Sequence, residues 1–182
     1  MAKLISKTYG EALYELAVEE NKVDLLLEEV QTVRTVIADD EQLSAFMNHP
    51  RIDKEEKLKL IEASFKGRVC DELTGFLCLI VEKGRFREIL PVLDYFIDAV
   101  KELKNIGVAY VETAIEMNES RKKQIEKRLL ETTSYTSMEM HFSVDESLIG
   151  GMVIRIKDRV VDSSVKTKLY ELMKDLQKIQ LK

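Results

Sequence analysis

Two sets of residues near the C-terminus have side chains that can do chemistry. Ser163 and Lys166 form a Ser-x-x-Lys, the spacing at which a lysine can act as base for a nucleophilic serine. Gly150 and Gly151 open a stretch that becomes Ser/Thr/Lys-rich, LIGGMVIRIKDRVVDSSVKTKL at 148–169, as a phosphate loop would. Neither context holds. A serine acyl-transfer site of that kind also needs Ser-Asp-Asn and Lys-Thr-Gly, and residues 166–168 read Lys-Thr-Lys. A phosphate loop needs its glycines ahead of a helix N-terminus, where backbone N–H groups converge. Here an alternating apolar strand follows instead. The glycine pair therefore reads as a bend or a close backbone approach, and the serines as a helix cap with a lysine on the solvent face.

The remaining reactive residues are few. His49 and His141 are distant in sequence, and no His/Cys cluster has metal-ligand spacing, so neither zinc nor any other cofactor is expected. Cys70 and Cys78 sit eight residues apart in an apparent helix. A rise of about 1.5 Å per residue separates their Cα atoms by about 12 Å, beyond disulfide reach. They read as reduced, buried and inert. No Ser/His/Asp or Cys/His set emerges, so an enzyme is not expected.

The scaffold has two halves with different periods. In residues 1–105, apolar side chains recur at i, i+4, i+7, i+8 and i+11: Ile5, Tyr9, Ala12, Leu13 and Leu16, then Val23 to Ile37 after a break near Asn21. A short piece at 43–47 ends at Asn48-His49-Pro50. Asp53 with Glu56 starts a helix that Gly67 closes. The helix over 70–81 is apolar all round in its second half, the pattern of a central helix buried on all sides. Gly84 ends it, and a long helix carries Phe86 through Leu103, with Pro91 in its first turns. After Asn105-Ile106-Gly107 the period changes. Strands are predicted at 108–115, 138–144, 152–156 and 159–161, the last three as a meander, with Lys157-Asp158 in a two-residue hairpin turn. Helices are predicted from Met117-Asn118 and from the Asp162/Ser163 cap, the latter with Val165, Leu169, Leu172, Met173, Leu176 and Ile179. The expected fold is α+β in two domains: an N-terminal six-helix bundle over 1–105 and a small mixed α/β domain over 106–182.

Charge excludes further classes. The 182 residues carry a net −5. Residues 1–105 hold 15 Lys+Arg against 21 Asp+Glu, a net of −6, and residues 106–182 hold 13 against 12, a net of +1. No basic stripe suits nucleic acid. The acidic half suits a basic or amphipathic protein partner. The longest apolar run, 76–81, is far short of the roughly 20 residues of a membrane span, so no direct membrane insertion is expected. The opening MAKLISKTYGEALYEL lacks the pattern of a signal or transit peptide, so retention in a bacterial-type cytoplasm is expected.

Four segments in order carry a family resemblance. These are SKTYGEALYELAVEE (6–20), MNHPRIDKEEKLKLIEASF (47–65, around Pro50 and Lys57), LIVEKGRFREILPVLDYF (79–96, around Gly84-Arg85) and LIGGMVIRIKDRVVDSSVKTKLYELMKDL (148–176). VETA at 111–114 adds the start of the second domain. Together they resemble the delta subunit of rotary F-type ATP synthases, whose mitochondrial relative is the oligomycin-sensitivity-conferring protein. Three departures stand out: Lys157-Asp158 where the hairpin usually has Gly-Asp, Ser163 where a glycine often follows Asp162, and no proline at 115–118.

The resemblance implies a non-catalytic stator subunit that resists rotor torque during ATP synthesis or ATP-driven ion transport. It implies an N-terminal bundle that holds the N-terminal helix of an alpha subunit in a groove between its first and fifth helices. Tyr9, Ala12, Leu13, Leu79 and Lys83 match positions lining that groove. It implies a second domain that binds the C-terminal region of the stalk b subunit, chiefly through the last helix and its flanking strands. Gly150, Gly151, Asp162 and Ser164 match signature positions with a structural role. The expected location is the cytoplasmic face of the cell membrane, peripheral, within the synthase. The alternative reading is a stand-alone helical protein-binding adaptor.

Overall fold

The computed structural model describes residues 2–180, with side chains for 4–176. The chain divides into two compact units, Met1–Lys101 and Glu102–Lys182.

The first unit is helical. Its helices are α1 (Ala2–Glu19), α2 (Val23–Asp39), α3 (Glu41–Asn48), α4 (Lys54–Phe65), α5 (Asp71–Glu82) and α6 (Ile89–Leu103), the last entered through a 3-10 turn at Phe86–Glu88. The heptad-like spacing becomes one apolar cluster: Leu13, Leu26, Leu73, Leu77, Ile80 and Phe96 are among its buried members. Caps match the breaks in periodicity. Asp40 accepts from the Leu43 N–H at 2.9 Å to start α3. Asp53 stands at the cap position of α4 but makes no side-chain cap bond. Lysines tie off helix C-terminal carbonyls that have no partner within their own helix. Lys57 donates to the His49 carbonyl at 2.8 Å, and Lys54 to the Glu82 carbonyl at 3.1 Å. An ion pair between Lys22 and Glu72 links the α1–α2 turn to α5.

Helix α5 departs from expectation. It is not buried on all sides. Leu73, Thr74, Phe76, Leu77, Ile80 and Val81 face the core, but Gly75 and Leu79 are exposed and Cys78 is half-buried. A segment that is apolar all round normally finds cover all round; this one leaves Leu79 in solvent and Cys78 half-covered.

The second unit holds β1 (Ile106–Thr113), α7 (Glu119–Thr132), β2 (Ser137–Val144), a 3-10 turn (Glu146–Leu148), β3 (Met152–Ile156), β4 (Arg159–Asp162) and α8 (Val165–Gln180). The sheet order is β2-β1-β3-β4. The expected three-strand meander is incorrect. β1 and β2 run parallel, with Ile106 opposite Ser137 and Thr113 opposite Val144, and α7 is their crossover. β3 then pairs antiparallel with β1, not β2. Alternation told which side chains share a face, and it is silent on which strand lies beside which.

The hairpin β3–β4 turns in two residues, with Ile156 opposite Arg159. Lys157 sits at φ 49° and Asp158 is outside the positive-φ region, so the turn has positive φ at its first central position only, the position where the family's glycine would sit without strain. Gly107, Ala109, Val111 and Thr113 are buried on one face of β1, whose other face shows Tyr110 and Glu112 to solvent. Helix α7, capped by Asn118 accepting from the Arg121 N–H, has no fully buried residue. Every residue of β4 is exposed.

Candidate interaction surfaces

The expected groove residues of the first unit take different positions. Leu13, 1% exposed, is a core residue. Tyr9 is half-buried and packs on the same core. Ala12 is exposed on α1, Leu79 is 40% exposed on α5, and Lys83 is exposed at the C-cap of α5. On α1 the exposed residues Leu4, Thr8 and Ala12 succeed one another at i, i+4, i+8 without a charge. Gly75 and Leu79 do the same on α5. Two helices thus present short uncharged runs of small or apolar residues, bounded by Glu15 on α1 and by Asp71 and Lys83 on α5, on a unit whose surface is otherwise rich in acid.

The signature residues of the second unit form a knot that fixes the start of α8. Gly151 has φ +80°, and a Cβ there would collide with the Ser163 carbonyl oxygen. The Gly150 carbonyl accepts from the Val165 N–H at 2.9 Å, and the Met152 carbonyl from the Ser163 N–H at 2.9 Å. Asp162 accepts from the Ser164 N–H at 2.8 Å and from the Thr167 hydroxyl at 2.7 Å. These bonds hold its carboxyl below the usual carboxylate range, the Ser164 N–H first and the Thr167 hydroxyl second. The helix cap is Ser164, 1% exposed, whose Oγ accepts from the Thr167 N–H at 3.2 Å. Sequence reading placed the cap at Asp162 or Ser163. Asp162 instead supports the cap from two residues earlier, because the close approach at Gly151 fixes the chain up to Ser163.

The knot has no reactive arrangement. Lys166 donates to Ser147 Oγ at 3.3 Å. His49 Nδ1 accepts from the Arg51 N–H, and His141 pairs with Glu139 at 3.0 Å while stacking on Tyr110. Among the described residues no group of three or more His, Cys, Asp or Glu has a metal-binding arrangement. Cys70 and Cys78 are free thiols, half-buried rather than buried. Burial, then the Glu29 carboxylate, pushes the Cys70 thiol up to about 12, which leaves little of the reactive thiolate.

Beyond the knot, α8 exposes an apolar stripe. Leu169, Leu172, Met173 and Leu176 are each more than half exposed, at helical spacing. Ile179 of the same expected stripe lies outside the described side chains. A second apolar surface escaped the sequence reading. Between α7 and the β3–β4 hairpin run two open clefts, of about 820 and 700 Å³, that share Arg128, Leu129, Ile154 and Val161. They form one groove. Its only sequence signal was the sparse apolar set on α7, Ile125, Leu129 and Leu130, each of which stays half-exposed.

Comparison with known proteins follows from these features. Residues 5–176 match the family described as ATP synthase delta (OSCP) subunit. The chain is similar to ATP synthase subunit delta of Lachnoclostridium phytofermentans, 54% identical over 181 residues that cover 100% of both chains. It is also similar to ATP synthase subunit delta of Alkaliphilus oremlandii, at 32% over 179 residues covering 98% of this chain and 99% of that one. In fold it is similar to a chain of the Toxoplasma gondii mitochondrial ATP synthase hexamer, with a TM-score of 0.78, 19% identity, and coverage of 94% and 97%. At that identity the likeness speaks for the fold alone.

Proposed function

The chain belongs to the ATP synthase delta (OSCP) subunit family, and from that premise we propose how its two units share the family's task. The protein is a non-catalytic stator component of a rotary F-type ATP synthase. It links the catalytic head to the peripheral stalk and resists rotor torque during ATP synthesis coupled to ion transport. The stand-alone adaptor reading does not fit a full-length match to a subunit of this complex.

The N-terminal unit acts as a six-helix bundle that holds the amphipathic N-terminal helix of an alpha subunit between α1 and α5. Tyr9, Ala12 and Leu79 line the groove, Lys83 stands at its end, and Leu13 supports α1 from the core side. The observation that carries this reading is the exposure of Gly75 and Leu79 on α5, a small and an apolar residue one turn apart. Small and apolar residues there let a guest helix approach closely and bury its apolar face. The C-terminal unit binds the C-terminal region of the stalk b subunit through the exposed stripe of α8. Gly150, Gly151, Asp162 and Ser164 hold α8 in place for that contact. The subunit sits at the cytoplasmic face of the cell membrane, peripheral to it. In support, among the described residues no helix is long and apolar enough to cross a membrane.

The test is a calorimetric titration of the full chain with a synthetic peptide of about 20 residues, some 30 Å of helix, from the N-terminus of the same organism's alpha subunit. Saturable binding with a negative heat-capacity change is expected, since apolar surface is buried. Ala12→Arg should abolish it. Normal binding by Ala12→Arg would remove the groove assignment.

A further inference from the structure

The groove between α7 and the β3–β4 hairpin has a composition that selects its occupant. Its floor is apolar, with Ile125 and Leu129 from α7 facing Ile154 and Val161 from the sheet. Its rim is cationic. Arg121 and Arg128 project from α7, and Arg159 and Lys157 from the hairpin. Lys157 is already paired with Glu102 at 2.7 Å. The three arginines are exposed, and among the described residues none has a carboxylate at ion-pair distance. Among the described residues Asp158 is the one carboxylate on the lining.

A second feature points the same way. Ile149 lines the mouth of the groove at φ 65°, a conformation that a β-branched residue adopts only under strain. It is 67% exposed, so burial in the free chain does not compensate. Strain held at an exposed apolar residue beside an open groove is a mark of a contact still to be made.

We infer that this groove receives a helical segment of the stalk whose apolar face is flanked by carboxylates, which pair with Arg121, Arg128 and Arg159. The inference rests on the stalk-binding reading of the C-terminal unit, and it adds a second contact surface apart from the α8 stripe and names the chemistry of the partner. Arginine forks hold carboxylates in bidentate geometry, so the rim sets the register of the segment while the floor supplies affinity. Helix α7 has 14 residues and is therefore about 21 Å long. The segment that lies along it spans three to four turns on that scale.

The test uses the full chain and a synthetic peptide of the last 20 or so residues of the same organism's stalk b subunit, a helix of about 30 Å. A second peptide carries Gln and Asn in place of every Glu and Asp. A triple variant, R121Q/R128Q/R159Q, keeps helix propensity at the two α7 positions and touches no buried group; unchanged thermal melting confirms its fold. Leu172→Glu on α8 serves as the comparison variant. Three exposed pairs lost together should weaken binding of the acidic peptide about tenfold. The amide peptide should bind the unaltered chain as weakly, and the two changes should not add. Rising salt should weaken the acidic peptide and leave the amide peptide unaffected. Binding of the acidic peptide by the triple variant within about twofold of the unaltered chain overturns the inference. If Leu172→Glu still abolishes binding in that case, the stalk reading survives without it. A stalk segment bearing lysines where carboxylates are required overturns it too. A peptide that fails to bind even the unaltered chain overturns the stalk reading together with this one.

Discussion

Among the described residues, the helical unit buries 21 apolar side chains in one cluster, whereas the second unit buries Ala109, Val111, Ala114, Met138 and Leu148. The units span 101 and 81 residues, a difference too small to explain the contrast. The difference lies in what each leaves open. The helical unit completes its core and reserves only outer stripes on α1 and α5. The second unit leaves the floor of its groove, all of β4 and the apolar face of α8 in solvent. A small sheet with one incompletely covered face gains little from burial by itself. The contrast fits the proposed function, with a second unit completed by a partner and a first that receives one on a surface that is already stable.

The largest test of this contrast is a pair of truncations, one in each unit. Phe96→Ala removes a fully buried ring from the helical cluster and should cost about 3–5 kcal/mol. Val161→Ala removes an exposed side chain from β4 and should change stability by no more than about 0.5 kcal/mol in the free chain. Chemical denaturation of each variant reads the difference. Equal losses at the two sites would break the comparison.

Next comes the knot that carries α8. Gly151→Ala places a Cβ against the Ser163 carbonyl at φ +80° and should cost about 2 kcal/mol or more. The loss should appear in melting of the second unit, and stalk binding should fall with it while alpha-peptide binding stays.

A smaller effect has the opposite sign. Ile149→Gly relieves the positive φ and removes a side chain that is mostly in water. The free chain should gain about 1 kcal/mol. Affinity for the stalk peptide should nevertheless drop, because Ile149 lines the groove.

The smallest effect is a pH dependence. Asp162 is held below the usual carboxylate range by the Ser164 N–H first, and Asp145 by the Ser147 hydroxyl first. The unfolded chain, whose carboxylates titrate near 4, therefore takes up protons earlier as pH falls. Stability from these bonds is complete above that unfolded value and is lost as pH drops through the lower folded values. Thermal melts should show the second unit weakening below about pH 4, and Asp162→Asn should flatten that dependence. An unchanged slope in Asp162→Asn would place the acid sensitivity elsewhere.

The helical unit was largely legible from periodicity. Each of α1 to α6 lies where its stripe predicts, because a 3.6-residue period marks both the element and its buried face. What misled was α5. Its outward apolar side looked like burial by the chain itself, and a sequence cannot tell a core side from one left exposed. Leu13, which the resemblance places among the groove residues, is fully buried. In the second unit, alternation located the strands but not their neighbours, so the parallel β1–β2 pair across α7 was read as part of a meander. The stripe from Leu169 to Leu176 was visible, and its lack of an intramolecular partner was not. The groove was invisible for a further reason. Its walls come from α7 and the hairpin, some thirty residues apart, and neither wall carries a motif of its own. Gly150 and Gly151 were legible as a close approach because glycines ahead of a strand have few other uses.

The central claim is that one chain joins two partners through two separate surfaces. It is tested most directly by immobilising the stalk b subunit and measuring capture of the alpha/beta head with and without the full chain. The head should be retained only when the chain is present. Ala12→Arg should release the head and leave the chain on the stalk, and Leu172→Glu should release the chain with the head still bound to it. Retention of the head by both variants, or without the chain at all, would contradict the account.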